Sequence, residues 1–352
     1  MVSGFTFKEL YNFEITGSGT AFPERGRWVT NDEIHLMIYG ENFAEKMAAK
    51  NFQPDYYETV LGLKKRFWTH TPGSIITHDE LTSADLMAEA AENAIKDSGI
   101  HKDEIDFLIA VTMTSPRYST SMGPYVSGKL GLTNTPSIEM KSGCASNIYS
   151  IILAAQLLQS GARNVLIAGG DTITKILKMN AFMAYAGGDA GAAIILSKSN
   201  APGKGIVSAY INSDGSYCNY MGVKGLFPPN RFDLDTENYF LSYEEGTEKF
   251  LQQAWDTTPG ILYNASCMKA NDMDCLIPHQ VHKKRTIAVS ESSGIPMDKT
   301  INIIGEIANC GSATLLVALD DARKNNRLQK DQNAMLIAAG GGISWGGIIL
   351  KT

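Results

Sequence analysis

One pattern occurs twice in this chain: a cysteine at an elbow of small residues, an apolar helix, and a short buried strand. Cys144-Ala145-Ser146 leads through Leu153-Ala154-Ala155-Gln156-Leu157-Leu158 to Val165-Leu166-Ile167-Ala168-Gly169-Gly170. Cys310-Gly311-Ser312 leads through Leu315-Leu316-Val317-Ala318-Leu319 to Met335-Leu336-Ile337-Ala338-Ala339-Gly340. Two readings fit: a duplicated unit, or the chance recurrence of apolar strand-helix-strand patterns. Further short apolar runs at 105–112, 192–196, 205–211, 274–277 and 346–350 are expected to be strands. Between them, 3.6-residue periodicity predicts helices from Ser83 as N-cap to a stop at Gly99, and over 243–264 and 283–293. Strands alternating with helices predict an α/β protein with a mostly parallel sheet covered on both faces.

Two stretches lie outside the repeat. Glu33 to Tyr57 reads as amphipathic helix, and Tyr217 to Tyr243 is aromatic and irregular, with Phe227-Pro228-Pro229 at its centre. An insert of that length is usually a lid or binding loop, which makes Phe227 a candidate substrate contact; the alternative is a surface loop packing its own aromatics. The 352 residues, 44% of them apolar, suffice for two domains or one duplicated domain. A net charge of −6 without a Lys/Arg cluster excludes a nucleic-acid partner. Five scattered cysteines without metal-ligand spacing argue against zinc or disulfide frameworks. With no leader-like N-terminus and no long apolar run, the expectation is a cytoplasmic, reduced protein with no membrane span.

Three residues carry chemistry. Cys144 stands between an extended run at 137–140 and the helix from Ile148, so its thiol sits at a helix N-terminus, where a lowered pKa is expected; a small buried hydrophobe is the alternative. His279 follows the strand Cys275-Leu276-Ile277, at the edge where open α/β sheets bind ligands, although a lone histidine is more often structural. Asn309 closes the strand-like Ile303-Ile304-Gly305-Glu306-Ile307-Ala308, where an N-cap or turn asparagine is the plain reading.

Taken together with Pro278-His279-Gln280, Asn309-Cys310-Gly311-Ser312, Gly188-Asp189-Ala190-Gly191-Ala192-Ala193 and the terminal Gly340-Gly341-Gly342-Ile343-Ser344-Trp345-Gly346, the chain resembles the β-ketoacyl-ACP synthase III type condensing enzymes of the thiolase superfamily. The likeness runs from about residue 13 to the C-terminus. It implies a thiolase-like fold of two duplicated βαβ-rich halves, 1–198 and 199–352, in α-β-α-β-α layers. It implies that Cys144 accepts an acyl group from an acyl-CoA or acyl-ACP, that His279 and Asn309 stabilise the enolate of a malonyl-type or β-ketoacyl thioester, and that the amides of Cys144 and Gly341 form the oxyanion hole. It implies no cofactor and no metal, an acyl carrier protein as partner, and a homodimer in which Tyr118 to Met122 approaches the neighbour's acyl tunnel.

Departures from the family pattern bear on the substrate. His282 stands where members read asparagine beside the pantetheine arm, Tyr56 where a tryptophan stacks on adenine, and Val60 where an arginine lies. These point away from an acetyl-CoA starter and towards a specialised member taking a longer or unusual acyl group. Ser115 to Met122 contains no carboxylate, which argues against the branch that joins two long acyl-CoAs head to head. A non-catalytic partner subunit and a thioester hydrolase are the competing readings.

Overall fold

A computed structural model describes residues 4–117, 119–179, 182–225 and 236–352. Ten strands form two five-stranded sheets: β1 (Phe5–Tyr11), β2 (Phe13–Ala21), β3 (Phe107–Val111), β4 (Ser137–Met140), β5 (Asn164–Thr172), β6 (Asp189–Lys198), β7 (Gly205–Ser213), β8 (Cys275–Pro278), β9 (Asn333–Gly340) and β10 (Ser344–Lys351). The first sheet runs β2-β6-β5-β3-β4 and the second β1-β7-β10-β9-β8. Aligning β2-β6-β5-β3 with β7-β10-β9-β8 gives the same succession of pairings in both, antiparallel, antiparallel, parallel. The repeat in the sequence is therefore a repeat of topology. The N-terminal strand β1 joins the edge of the second sheet by pairing with β7.

Six helices complete the layers: α1 (Ser83–Ser98), α2 (Met122–Leu130), α3 (Ser146–Gln159), α4 (Thr247–Ser266), α5 (Lys283–Ser293) and α6 (Thr314–Lys324). Helices α3 and α6 lie between the sheets, α1 and α2 cover the outer face of the first sheet, and α4 and α5 cover that of the second. Alternate residues of each central strand therefore face different cores. In β5, Val165 and Ile167 enter the central core while Leu166 and Ala168 face α1. In β9, Leu336 and Ala338 face inward while Met335 and Ile337 face outward.

Several expectations are corrected. The sheets are mixed rather than mostly parallel, because β5 returns into β6 and β9 into β10 without a crossover helix long enough to restore direction. Thr82, not Ser83, caps α1, in a capping box with Asp85, and Gly99 ends it with φ 71°. The segment before Asn309 is one helical turn, Ile304–Ile307, whose two isoleucines, three apart, are both buried. The 33–57 stretch breaks into the short helices Asn31–Tyr39, Phe43–Ala48 and Tyr56–Thr59. These pack around the stacked rings of Tyr57 and Tyr185, 3.6 Å apart. Tyr243 ends a short strand, and the helix expected from it begins only at Thr247.

Candidate active site

Cys144 lies between β4 and α3, and the local sequence fixes the elbow. Gly143 adopts φ +57°, and the Ser146 hydroxyl accepts from the Ser142 amide (2.7 Å) while donating to the Gly143 carbonyl (2.6 Å). The cysteine is 3% exposed. It is pressed against the turn between β9 and β10. A Cβ on Gly340 would come within 3.0 Å of Cys144 Sγ, and one on Gly143 would strike the Gly341 carbonyl oxygen. Only glycine permits this approach, and it brings the backbone of Gly341 alongside Cys144. Contrary to the sequence expectation, the thiol is pushed up to about 12, first by burial and then by the negative charge of Asp171. The helix dipole contributes at most ~2 kcal/mol even in favourable geometry, and desolvation outweighs it.

His279 follows β8, its amide donating to Ile337 of the parallel neighbour β9 (2.9 Å), so it stands at the same sheet edge as the glycine turn that ends β9. The side chain is 1% exposed, and among the described residues neither ring nitrogen has a hydrogen-bond partner. Burial pushes the imidazole down to about 3, so it is neutral. The next residue, Gln280, ties this loop to the one that leads to Asn309: its amide donates to Ile301 O (3.1 Å), and its carbonyl oxygen accepts from the Ile303 amide (3.0 Å).

Asn309 is positioned by its own backbone, which donates to Ala186 O (2.8 Å) and accepts from the Gly188 amide (3.0 Å). Its Oδ1 accepts from the Gly311 amide (3.0 Å) and the Thr314 hydroxyl (3.3 Å), and among the described residues Nδ2 carries no bond. The side chain therefore presents its donor end. Its loop is locked to the rest of the site by two residues that sequence reasoning missed. Asn147, on the first turn of α3, donates through Nδ2 to Ser312 O. Asp171, at the end of β5, accepts through Oδ2 from the Ser312 amide and hydroxyl (both 2.7 Å), and through Oδ1 from Thr112 Oγ1, Met113 N, Thr114 N and Thr114 Oγ1 (2.7–2.9 Å). The signal was present: a carboxylate closing an otherwise apolar strand must find donors at once.

The remaining candidates behave differently. His282 is the N-cap of α5, its Nδ1 accepting from the Arg285 amide (3.1 Å), a structural task that the substrate-contact reading did not include. Tyr56 is half-buried against Phe52, at 4.8 Å, and its segment joins the start of α5 through Lys283 N to Leu61 O (2.8 Å). Met122 is fully buried in its own outer core, so its side chain is not presented to a partner; its amide donates to Glu139 (3.0 Å). Tyr118 and Phe227 lie outside the described residues. Among the described residues no group of His, Cys, Asp and Glu could hold a metal ion, and no helix is long and apolar enough to cross a membrane. All five cysteines are free.

The chain is similar to known proteins in sequence and in fold. Residues 138–215 match the family model of 3-oxoacyl-[acyl-carrier-protein] synthase III, and residues 264–352 match that of its C-terminal region. The β-ketoacyl-[acyl-carrier-protein] synthase III of Neisseria meningitidis is 27% identical over 341 residues, 96% of this chain and 98% of that protein. Its counterpart in Staphylococcus aureus is 28% identical over 342 residues, 97% of this chain and 99% of that one. The crystal structure of 3-oxoacyl-[acyl-carrier-protein] synthase III from Aquifex aeolicus superposes with a TM-score of 0.81 at 20% identity, covering 97% of this chain and all of that one.

Proposed function

Because the chain belongs to the condensing acyltransferases of the 3-oxoacyl-[acyl-carrier-protein] synthase III type, we propose that Cys144, His279 and Asn309 divide a decarboxylative Claisen condensation between them. Cys144 Sγ attacks the carbonyl carbon of an acyl thioester, its proton passes to the neutral His279, and the thiol of CoA or of a carrier protein leaves with that proton. A malonyl-type thioester then binds. As its carbon–carboxylate bond breaks and carbon dioxide departs, the electron pair forms an enolate whose oxygen faces the N–H of His279 and Nδ2 of Asn309. The carbanion attacks the acyl carbon on Cys144, the oxyanion is held by the amides of Cys144 and Gly341, and the sulfur is expelled as a thiolate that takes one proton from solvent. A β-ketoacyl thioester is the alternative second substrate.

The observation that carries this reading is the buried imidazole of His279, whose two nitrogens have no partner among the described residues. Buried polar atoms are ordinarily paired, so these await a ligand. Intact-protein mass after incubation with acyl-CoAs and acyl carrier proteins tests it. Wild type should gain an acyl adduct and Cys144→Ala none, whereas His279→Ala, lacking the base, should acylate more slowly and in addition lose decarboxylation by about 10²-fold or more. An adduct on Cys144→Ala would remove the nucleophile, and free acid as the sole product would indicate hydrolysis. The working form we propose is a cytoplasmic homodimer. The support for two copies is the pair of exposed isoleucines, Ile75 (88%) and Ile76 (53%), the second of which lines a cavity of about 470 Å³ together with Arg117 and Tyr125.

A further inference from the structure

The strands Met221–Val223 and Leu241–Tyr243 pair antiparallel, at the base of the aromatic insert, with Met221 directly opposite Tyr243. Residues opposite one another in such a pair project to the same face. That face is oriented by Met221: a Cβ on Gly341 would lie 3.2 Å from the Met221 carbonyl oxygen, 3.5 Å from its Cγ and 3.6 Å from its Sδ. The hairpin thus rests on the same glycine turn that presses against Cys144.

It is also held firmly. The Glu244 amide donates to Tyr220 O (2.7 Å), Ser242 Oγ to Gly222 O (3.1 Å), and Thr247 Oγ1, at the start of α4, to Tyr220 O (3.2 Å). Tyr217, just before the hairpin, packs on Phe250 at 4.2 Å, which meets Trp345 of β10 at 5.4 Å. The hairpin is a fixed roof rather than a swinging flap.

From this placement we infer that Tyr243 is a specificity-determining residue: it closes the roof over Cys144 and offers its hydroxyl to an oxygen on the acyl chain, close to the carbonyl, of the thioester that loads the cysteine. The inference rests on the reading of Cys144 as acyl carrier. Although 44% of Tyr243 is open, its hydroxyl is raised above its ordinary value by burial and by the neighbouring Cys144 and Glu248, so it remains a donor. No described residue accepts from it. An unbranched saturated chain offers that donor nothing, whereas a 3-hydroxy or 3-oxo group would accept from it, and sites that bond a substrate oxygen discriminate against analogues that lack one.

Two measurements on the full chain decide this. The first is alkylation of Cys144 by iodoacetamide, read by intact mass: Tyr243→Ala should react about tenfold faster than wild type and Tyr243→Phe within about twofold, and an unchanged rate in Tyr243→Ala overturns the roof. The second compares loading from octanoyl-, 3-hydroxyoctanoyl- and 3-oxooctanoyl-CoA. Wild type should load the oxygenated donors about tenfold faster than octanoyl-CoA, the worth of one hydrogen bond, and Tyr243→Phe, which keeps the ring and the packing, should bring that ratio to about one. A wild-type ratio near one, or a ratio that survives in Tyr243→Phe, overturns the hydroxyl's role. A wild type that loads none of the three defeats the acyl-carrier reading and the hydroxyl's role with it, while the alkylation result still decides the roof.

Discussion

The resting chemistry of the site is set by two buried side chains whose charged forms are both disfavoured. With the Cys144 thiol pushed up to about 12 and the His279 imidazole down to about 3, the pair is thiol and neutral imidazole, not thiolate and imidazolium. Alkylation of Cys144 should therefore rise about tenfold per pH unit from 6 to 9 without a plateau. A plateau with a midpoint near 6 or 7 would reveal the ion pair instead. The same histidine sets an acid limit on the fold. Its folded value lies below 6.5, the value it takes when unfolded, so between 6.5 and about 3 the unfolded chain binds a proton that the folded chain does not, and stability is lost as the pH falls through that window. By pH 5 the loss from this one group is about 2 kcal/mol. His279→Gln should narrow the gap in melting temperature between pH 7 and pH 5; an unchanged gap would refute the assignment. Both side chains were found by position along the chain, but the direction of the cysteine's shift was not, because desolvation depends on what the far β9–β10 turn covers.

Asp171 shows how one strand end organises segments from both halves of the sequence. All six of its partners are donors, three of them backbone amides that cannot reverse. An amide in its place would aim N–H at N–H. Asp171→Asn should therefore fail nearly as badly as Asp171→Ala, each losing about 3 kcal/mol or more of stability and displacing Asn309, with melting temperature and the decarboxylation rate as the measures. Full activity in Asp171→Asn would show that the loop is held by other means. What was legible at this scale follows the locality of the cause. Helix α5 was placed residue for residue from its periodicity, and β5 and β9 from apolar runs bounded by glycine, because side-chain pattern and burial coincide there. Strands β1 and β2 were missed: four of the seven residues of β1 are exposed, and β2 carries Thr16, Gly17, Ser18 and Gly19 because α1 lies so close that a Cβ on either glycine would collide with its backbone. The strand-like run before Asn309 became a helical turn because two isoleucines three apart meet the core only that way.

For the molecule as a whole, the repeat decided the architecture more than any single motif did. Two copies of one four-strand order, stacked on the shared layer of α3 and α6, place Cys144 from the first sheet against the glycine turn of the second. If two molecules associate through the apolar surface at Ile75 and Ile76, sedimentation should find two copies at micromolar concentration, and the double change Ile75→Asp with Ile76→Asp should give one; a wild-type monomer would end that proposal. This layered stacking also bears on synthesis. As the chain leaves the ribosome, the sulfur emerges some two hundred residues before the last strand hairpin that encloses it. Until that hairpin docks, the nascent protein holds an ordinary cysteine, and acyl transfer switches on only once both of the hairpin's strands have been made.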